Sequence, residues 1–287
     1  MIAFLVLNYN DAKTTIELVD SVKEFNVIDH VLVVDNCSTD DSFQVLSKIK
    51  SEKVEVLSST YNGGYGAGNN FGIDYLVIKY QPDYIVLANP DIIIEEKTIC
   101  EMEKFLDGHK DYVAVAPFMC NSEGEIQKNT GWNLPSKIDY VLSMGVLYSI
   151  IKKPGIIKNI EKSKRSSIDV DAISGSLYMM DANAMKKYGM YDENVFLYCE
   201  ETILGFKFKS VGLKSAILTD CSYIHNHSIS ISKTYKSEIS KRKLLLDSRH
   251  YVLKTYYKAN RIELCIAHIL EKISLFEMYI ISKIGDL

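Results

Sequence analysis

Strand-like and helix-like segments alternate along the chain as far as Pro117, and this alternation constrains the fold more than any other feature. Short apolar runs rich in strand-forming residues cover 2–7, 31–34, 54–57, 84–88 and 113–116. Segments with helical spacing lie between them, at 11–25, 41–50, 69–80 and 96–106. The alternation predicts an α/β fold with a Rossmann-like, mostly parallel central sheet flanked by helices.

A second ordered block follows a looser stretch that ends near Arg165. We predict a strand and two helices there, over 176–180, 182–188 and 200–211. From about residue 235 the chain again has a helical pattern. The sequence therefore divides into one large domain, 1–234, and a C-terminal helical extension, 235–287.

Composition excludes several classes of protein. A net charge of -4 over 287 residues argues against a general nucleic-acid binder. The six cysteines are scattered without CxxC pairs, as expected of reduced thiols in the cytoplasm. The first residues run directly into a strand, so we expect no secretory signal, and no apolar run is long enough to cross a bilayer. A basic linker and a Lys/Tyr-rich tail are compatible with peripheral association with the inner face of the cell membrane, with a homodimer contact, or with a plain solvated surface.

The apolar run 84–88 ends abruptly at Asn89-Pro90-Asp91. Pro90 cannot continue a strand ladder, so Asp91 is expected at the carboxyl end of a central strand. Ligands bind at that end in open α/β sheets, and a carboxylate there suits a divalent cation that bridges a phosphate-bearing ligand. A plain turn is the alternative interpretation.

Two other predicted strands also end in polar residues. The first ends in Asn8-Tyr9-Asn10, which lacks the glycine fingerprint of a dinucleotide-binding fold but offers amides and an aromatic ring to a nucleobase. A polar loop is equally consistent with it. The second ends in Asp35, whose ionised carboxylate can accept the imide N–H of uracil or thymine, while Asp40 is expected to cap the next helix.

A glycine-rich run, 62–72, follows the third predicted strand and leads into a helix. Its glycines would let backbone N–H groups turn toward an anion. They could equally allow tight packing of the helix on the sheet. Its position between Asp35 and Asp91, at a third strand end, favours a role in binding.

These segments together, 8–10, 34–40, 62–69 and 89–91, resemble in order glycosyltransferase family 2, in its rhamnosyltransferase-like branch. Members have the GT-A fold, use a nucleotide-diphosphate sugar with a divalent metal (Mn²⁺ or Mg²⁺) and invert the anomeric carbon. The resemblance implies Asp91 at the metal, although Asn89 stands where the usual Asp-x-Asp has its first acid. It also implies a nucleotide site formed by Asn8, Tyr9, Asn10, Asp35, Asn62, Gly63, Gly64, Gly68, Asn69 and Asn89.

Inverting transfer requires a general base to take the proton of the acceptor hydroxyl. The segment 196–201 resembles the family's Glu-Asp motif, whose second acid is the base; this nominates Glu201, with Glu200 as the second candidate. Glu201, Leu204 and Phe208 share one helical face, so Glu201 should point inward, where partial burial raises its pKa. Alternatively, both glutamates only favour the positive end of the helix.

Three further features bear on the same site. By resemblance, the small residues of 173–176 lie on the acceptor side, although they also suit a turn. By the same resemblance a histidine, His225 in preference to His227, approaches the metal or the diphosphate; a surface histidine is the alternative. Trp132 is either a sugar-stacking platform or a packing residue.

The sequence therefore predicts an inverting glycosyltransferase that moves a sugar from a UDP- or dTDP-sugar to an acceptor hydroxyl, in the assembly of a cell-surface polysaccharide. The carbohydrate acceptor is either free or lipid-linked. A non-catalytic subunit that binds a sugar nucleotide for a partner transferase is an alternative. A sugar nucleotidyltransferase is another, but it would need a Gly-rich loop with Arg and Lys after the first strand, and Asn8-Tyr9-Asn10-Asp11 stands there.

Overall fold

The structure is a computed structural model that describes residues 1–145, 148, 165–226 and 238–285. Its strands are β1 Ile2–Asn8, β2 His30–Asp35, β3 Val54–Ser58, β4 Tyr84–Ala88, β5 Ile92–Ile93, β6 Tyr112–Cys120, β7 Gly131–Trp132, β8 Ser167–Val170, β9 Ala172–Ile173, β10 Leu177–Asp181 and β11 Lys214–His225. Its helices are α1 Ala12–Val22, α2 Ser42–Leu46 (continued by a 3₁₀ turn, Ser47–Ile49), α3 Gly64–Lys79, α4 Glu96–Gly108, α5 Lys137–Leu142, α6 Ala182–Tyr188, α7 Glu200–Ser210, α8 Glu238–Thr255 and α9 Arg261–Gly285.

One large sheet organises the first part of the chain. Its strand order is β3-β2-β1-β4-β10-β6-β11-β5, and β8 also pairs with β11. Strands β3, β2, β1, β4, β6 and β11 share one direction, whereas β10 lies antiparallel between β4 and β6. The predicted mostly parallel sheet is confirmed. A separate short ladder joins β7 to β9.

Helices cover both faces of this sheet, as predicted. The alternating side chains of β1 show the division: Phe4 and Val6 pack in one apolar cluster with residues of α1 and α4. Ala3 and Leu5 pack in a second cluster with residues of α3, α6 and α7. Because each strand supplies apolar residues to both faces, the central strands are continuous hydrophobic runs.

Helix α3 begins at Gly64, five residues earlier than predicted, so most of the glycine-rich run is helical and not a loop. Glycine disfavours helices, which is why sequence patterning places the start too late. Here the missing side chains permit close packing on the sheet. An added Cβ at Gly68 would lie 2.6 Å from Cδ1 of Leu7, and one at Gly72 would lie 2.5 Å from Cδ1 of Leu5.

The C-terminal extension is helical, as predicted, and α8 and α9 pack against each other and against α5. A third apolar cluster joins Val195 and Ile203 of the larger domain to Leu246, Leu253 and Ala267 of the extension. Residues 227–237 lie outside the described part of the chain, so the boundary at 234/235 stays a prediction. Across the described ranges, no helix is both long and apolar enough to cross a membrane.

Candidate active site

Pairing of the parallel strands brings the predicted site residues to one edge of the sheet. In the register of β1 and β2, Asn8 lies opposite Asp35. In that of β1 and β4, Val6 lies opposite Ala88, so Asn89 leaves the sheet beside the end of β1. The three carboxyl ends therefore meet, as the sequence predicted.

Asp35 joins the loops that follow β1 and β2. Its buried carboxylate accepts hydrogen bonds from Asn8 Nδ2 (2.8 Å), Ser38 Oγ (2.6 Å) and Ser38 N (3.0 Å). Asn10 pairs with the same loop, because its Oδ1 accepts from Thr39 N at 2.8 Å. Three of about four acceptor positions on the carboxylate are thus used by the protein itself.

The helix cap expected after β2 forms in a slightly different way. Asp41 occupies the N-cap position of α2, and Oδ1 of Asp40 accepts from Ser42 N at 2.9 Å. Asp40 therefore bonds to the first turn of the helix from one residue upstream.

Asn36, which sequence reasoning missed, fixes the start of α3. Its Nδ2 donates to Asn62 Oδ1 (3.1 Å) and to the Gly64 carbonyl (3.0 Å), and Gly64 N donates to Asn62 Oδ1 (3.0 Å). Asn36 follows Asp35 directly in the segment 34–40, and this adjacency is the signal in the sequence that could have identified it. Gly63 occupies the N-cap position of α3.

The other predicted nucleotide-site residues at this edge of the sheet differ in their burial. Asn8 and Asn69 are completely buried, and Asn69 Nδ2 donates to the Tyr65 carbonyl at 3.0 Å. Tyr9 and Asn10 are partly exposed at the end of β1. The Asn8 side chain bonds to the Asp35 carboxylate and that of Asn69 to the Tyr65 backbone, so both are engaged by the protein itself. Direct nucleotide contact by any of the four stays a prediction.

A cleft of about 540 Å³ opens beside these strand ends. Segments that are distant in sequence form its walls, including both candidate bases and the predicted acceptor-side segment. The lining includes Tyr65, Asn89, Trp132, Ser174, Gly175, Ser176, Glu200, Glu201, His225 and Arg249. Trp132 thus faces the cleft from β7.

The two candidate bases open helix α7. Tyr198 and Cys199 both have left-handed backbone, with φ of +71° and +70°, and this turn sets Glu200 as the first helical residue. Glu200 is buried; burial, and next the nearby charge of Glu201, raise its pKa to about 8. Burial also raises the pKa of Glu201. At neutral pH the protonated form of Glu200 is therefore favoured.

Gly175 connects Glu201 to the rest of the cleft. Gly175 N donates to Glu201 Oε1 at 3.1 Å, while its carbonyl accepts from the Tyr65 hydroxyl at 2.6 Å. The adjacent Ser176 carbonyl accepts from Asn89 N at 2.8 Å. An unbroken set of contacts thus runs from Glu201 to Asn89, two residues before Asp91.

His225 and Asp91 are brought together by a short strand pair. Strand β5 follows Asp91 and runs antiparallel to the end of β11, with Ile92 opposite His225. His225 Nε2 lies 3.2 Å from Asp91 Oδ1, and both side chains are about 10% exposed. His227 lies outside the described residues.

This pair fits a divalent cation. Neighbouring ligands of an octahedral ion with bonds of about 2.1 Å are about 3 Å apart, close to the observed separation of the two atoms. Carboxylate oxygen suits Mn²⁺ and Mg²⁺, and imidazole is a common ligand of transition metals. Asp91 lies in the turn directly before β5 and His225 ends β11, and the pairing of these two strands already holds both ligands in place.

Arg249 reaches the cleft from helix α8 of the extension, and the sequence carried no signal for it. Its Nη1 donates to the Ser143 carbonyl at 2.6 Å. Neighbouring Ser248 donates to the Leu197 carbonyl at 2.7 Å, in the loop that leads to Glu200. The extension therefore completes one wall of the cleft.

Comparison with known proteins is consistent with this geometry. Residues 4–182 match the family model described as Glycosyl transferase family 2. The chain belongs to glycosyltransferase family 2. This match covers the strand ends that carry Asn8, Asp35 and Asp91.

Two curated relatives of this glycosyltransferase are named as sugar transferases. It is 23% identical to the low-salt glycan biosynthesis hexosyltransferase Agl10 of Haloferax volcanii over 79% of this chain and 68% of that protein. It is 24% identical to the N-acetylglucosaminyl-diphospho-decaprenol L-rhamnosyltransferase of Mycobacterium tuberculosis over 73% of this chain and 70% of that protein.

The solved structures support the fold. A crystal structure of GalNAc-T7 with UDP, GalNAc and Mn²⁺ superposes with a TM-score of 0.61 at 12% identity, over 79% of this chain and 44% of that one. The predicted GT-A architecture of this glycosyltransferase is confirmed.

Proposed function

We propose that this glycosyltransferase moves a sugar from a nucleotide-diphosphate donor to an acceptor hydroxyl with inversion at the anomeric carbon, using Glu201 as the base. The observation that carries the proposal is that Glu201 and His225, the partner of Asp91, line one cleft. A proton acceptor and a candidate cation site therefore face the same space. This is the arrangement that direct displacement of a nucleoside diphosphate needs.

In this mechanism the acceptor oxygen bonds to the anomeric carbon as the bond from that carbon to the diphosphate breaks. The acceptor proton passes to Glu201, and the nucleoside diphosphate leaves. The hydrogen bond from Gly175 N orients the Glu201 carboxylate and opposes the rise in its pKa that burial causes. Burial also raises the pKa of Glu200, and there the nearby charge of Glu201 instead adds to the rise. A divalent metal held by Asp91 and His225 would neutralise charge on the departing diphosphate.

The hydrogen bonding of Asp35 favours a donor whose base is uracil or thymine. Its carboxylate keeps about one acceptor position after the three protein hydrogen bonds, and an imide N–H can donate to that position. Tyr9 and Asn10, partly exposed nearby, offer a ring and amide groups to the same base. The donor is therefore a UDP- or dTDP-sugar in this proposal.

A lipid-linked carbohydrate is the acceptor we favour. The Mycobacterium relative is named for a diphospho-decaprenol acceptor. Helix α9 also presents an exposed apolar row at helical spacing, Ile262, Ile266, Ile269, Ile273 and Phe276. By the same spacing, Arg261 and Lys272 share one flank of that row, as in helices that lie on anionic membrane surfaces. Co-sedimentation with anionic but not neutral vesicles would support the membrane part of this proposal.

A donor panel tests the proposed activity against its alternatives. Purified protein would be incubated with UDP-, dTDP- and GDP-sugars, with and without Mn²⁺, while thermal stability and released nucleotide are measured. We expect metal-dependent stabilisation and release of nucleoside diphosphate with one of the first two classes. Stabilisation without any release would favour the non-catalytic subunit, and pyrophosphate release from a nucleoside triphosphate would favour the nucleotidyltransferase.

A further inference from the structure

Two histidines and a glutamate meet between the helices of the C-terminal extension. His250 on α8 places Nε2 2.6 Å from Glu271 Oε2, and His268 on α9 places Nδ1 3.2 Å from the same oxygen. All three ligand atoms lie within 4.8 Å of one another. None of these residues lines the cleft described above.

We propose that His250, His268 and Glu271 form a second metal site that takes Zn²⁺ or a similar borderline transition metal. Two imidazoles and one carboxylate are a common zinc ligand set that leaves the fourth tetrahedral position open. Zn²⁺ with bonds of about 2.0–2.1 Å needs its ligand atoms about 3.3 Å apart. The two histidine–glutamate distances, 2.6 and 3.2 Å, lie near this value, and the two histidine nitrogens lie within 4.8 Å of each other, so side-chain movements alone would complete the set.

The local architecture suits a metal that enters from solvent. His268 is 56% exposed, which provides a path for the ion, whereas Glu271 is 14% exposed and is held by both histidines. His268 and Glu271 are three residues apart, one helical turn, and His250 approaches from the facing helix. The site therefore needs both helices in their packed arrangement.

A metal here would tie α9 to α8, and α8 forms one wall of the cleft. Arg249, next to His250, lines that cleft, and Ser248 bonds to the loop before Glu200. The bound ion would thus stabilise the extension against the catalytic domain, and this role does not depend on the proposed sugar transfer.

Cobalt binding tests the site directly. Full-length protein carrying D91A, which removes the carboxylate of the other candidate metal site, is titrated with Co²⁺ alone. Binding is followed by visible absorption, because four-coordinate Co²⁺ with nitrogen and oxygen ligands absorbs strongly. The variants H268A and E271Q are compared in that background. H109A is the matched control, since His109 is an exposed histidine outside the extension.

We expect one equivalent of Co²⁺ to bind D91A and D91A/H109A with the same affinity, and Zn²⁺ to displace it. H268A and E271Q each remove a direct ligand. Each should weaken Co²⁺ binding by more than tenfold, which is roughly the cost of losing an outer-shell partner. Zn²⁺ should also raise the Tm of D91A but not that of D91A/H268A. Equal affinities in D91A and D91A/H268A, or no stoichiometric binding to D91A, would show that the three side chains form only a hydrogen-bonded cluster without a metal.

Discussion

The backbone amide of Gly175 donates a 3.1 Å hydrogen bond to Oε1 of Glu201. The carbonyl of the same residue accepts from the Tyr65 hydroxyl at 2.6 Å. Glu201 is therefore oriented by a segment that is itself anchored to helix α3, on the side of the predicted nucleotide site. The position of the candidate base depends on both halves of the site.

Substitution of Gly175 by alanine should impair catalysis more than donor binding. An added Cβ would lie 2.9 Å from Glu201 Oε1 and 3.1 Å from the Tyr65 hydroxyl, so the carboxylate must shift. A displacement of less than 1 Å should lower kcat by roughly tenfold or more, with donor Kd nearly unchanged. G108A is the control, since no atom lies within 4 Å of a Cβ at Gly108. Equal turnover of the two variants would argue against a positioning role for Gly175.

The pH dependence of stability should report on Glu200. Burial and the nearby charge of Glu201 raise its pKa from 4.5 to about 8, so the folded state keeps a proton that the unfolded state releases. The resulting stabilisation is fully present below about pH 4.5 and is lost as pH rises through 8. In E200Q this loss should be absent. Relative to the wild type, E200Q should gain a few kcal/mol in unfolding free energy across that interval.

Urea denaturation between about pH 5 and 8 measures this difference. The matched control is E123Q, because Glu123 is exposed on a turn and its substitution should leave the wild-type pH profile unchanged. Parallel profiles for E200Q and the wild type would mean that Glu200 titrates as an ordinary carboxyl.

The dependence of sugar transfer on a divalent metal should be altered by substitution of Asp91 or His225. D91A should lose metal-stimulated transfer. H225A should need more than tenfold more Mn²⁺ for half-maximal rate, because loss of a direct ligand should cost more than the roughly tenfold of an outer-shell partner. Asp220, an exposed acid on the same strand as His225, provides the control D220A, which should behave as the wild type. Near-normal turnover of the wild type in excess EDTA would remove the metal from the mechanism.

Alanine substitutions at two glycines with similar backbone conformation should distinguish the cost of backbone strain from the cost of a steric clash. Gly64 and Gly124 have φ of +90° and +81°, so alanine at either position costs about 1–2 kcal/mol of backbone strain. Only at Gly64 would the added Cβ collide, 1.9 Å from the Phe196 carbonyl oxygen. G64A should therefore lose roughly 1–3 kcal/mol more unfolding free energy than G124A. Equal losses in urea denaturation would show that this contact yields easily.

Much of the fold could be predicted because its central strands are bounded apolar runs. The run before Asn89 is such a strand, and Pro90 marks its end in the sequence as in the structure. Parallel pairing then brings Asn8, Asp35 and Asn89 to one edge, which a strand–helix alternation already implies. The local hydrophobic pattern of the sequence is therefore sufficient to predict the central strands and the edge of the sheet at which they end.

Other features depend on partners that are distant in sequence. The strand near residue 180 was predicted, but its antiparallel insertion between β4 and β6 was not, since strand patterns do not specify neighbours. Gly68 lies in helix α3 and packs closely on Leu7, a contact between distant residues that local propensity cannot indicate. Arg249 reaches the cleft only through the packing of the extension, and no motif surrounds it.

The central claim is that Glu201 removes the acceptor proton. Its most direct test is the kcat of E201Q together with its donor Kd, measured beside E200Q with the donor that the panel identifies. Loss of a general base should lower kcat by roughly 10²–10⁴-fold, while donor Kd stays at the wild-type value. A wild-type kcat in E201Q would contradict the claim, and a large loss in E200Q alone would assign the base to Glu200.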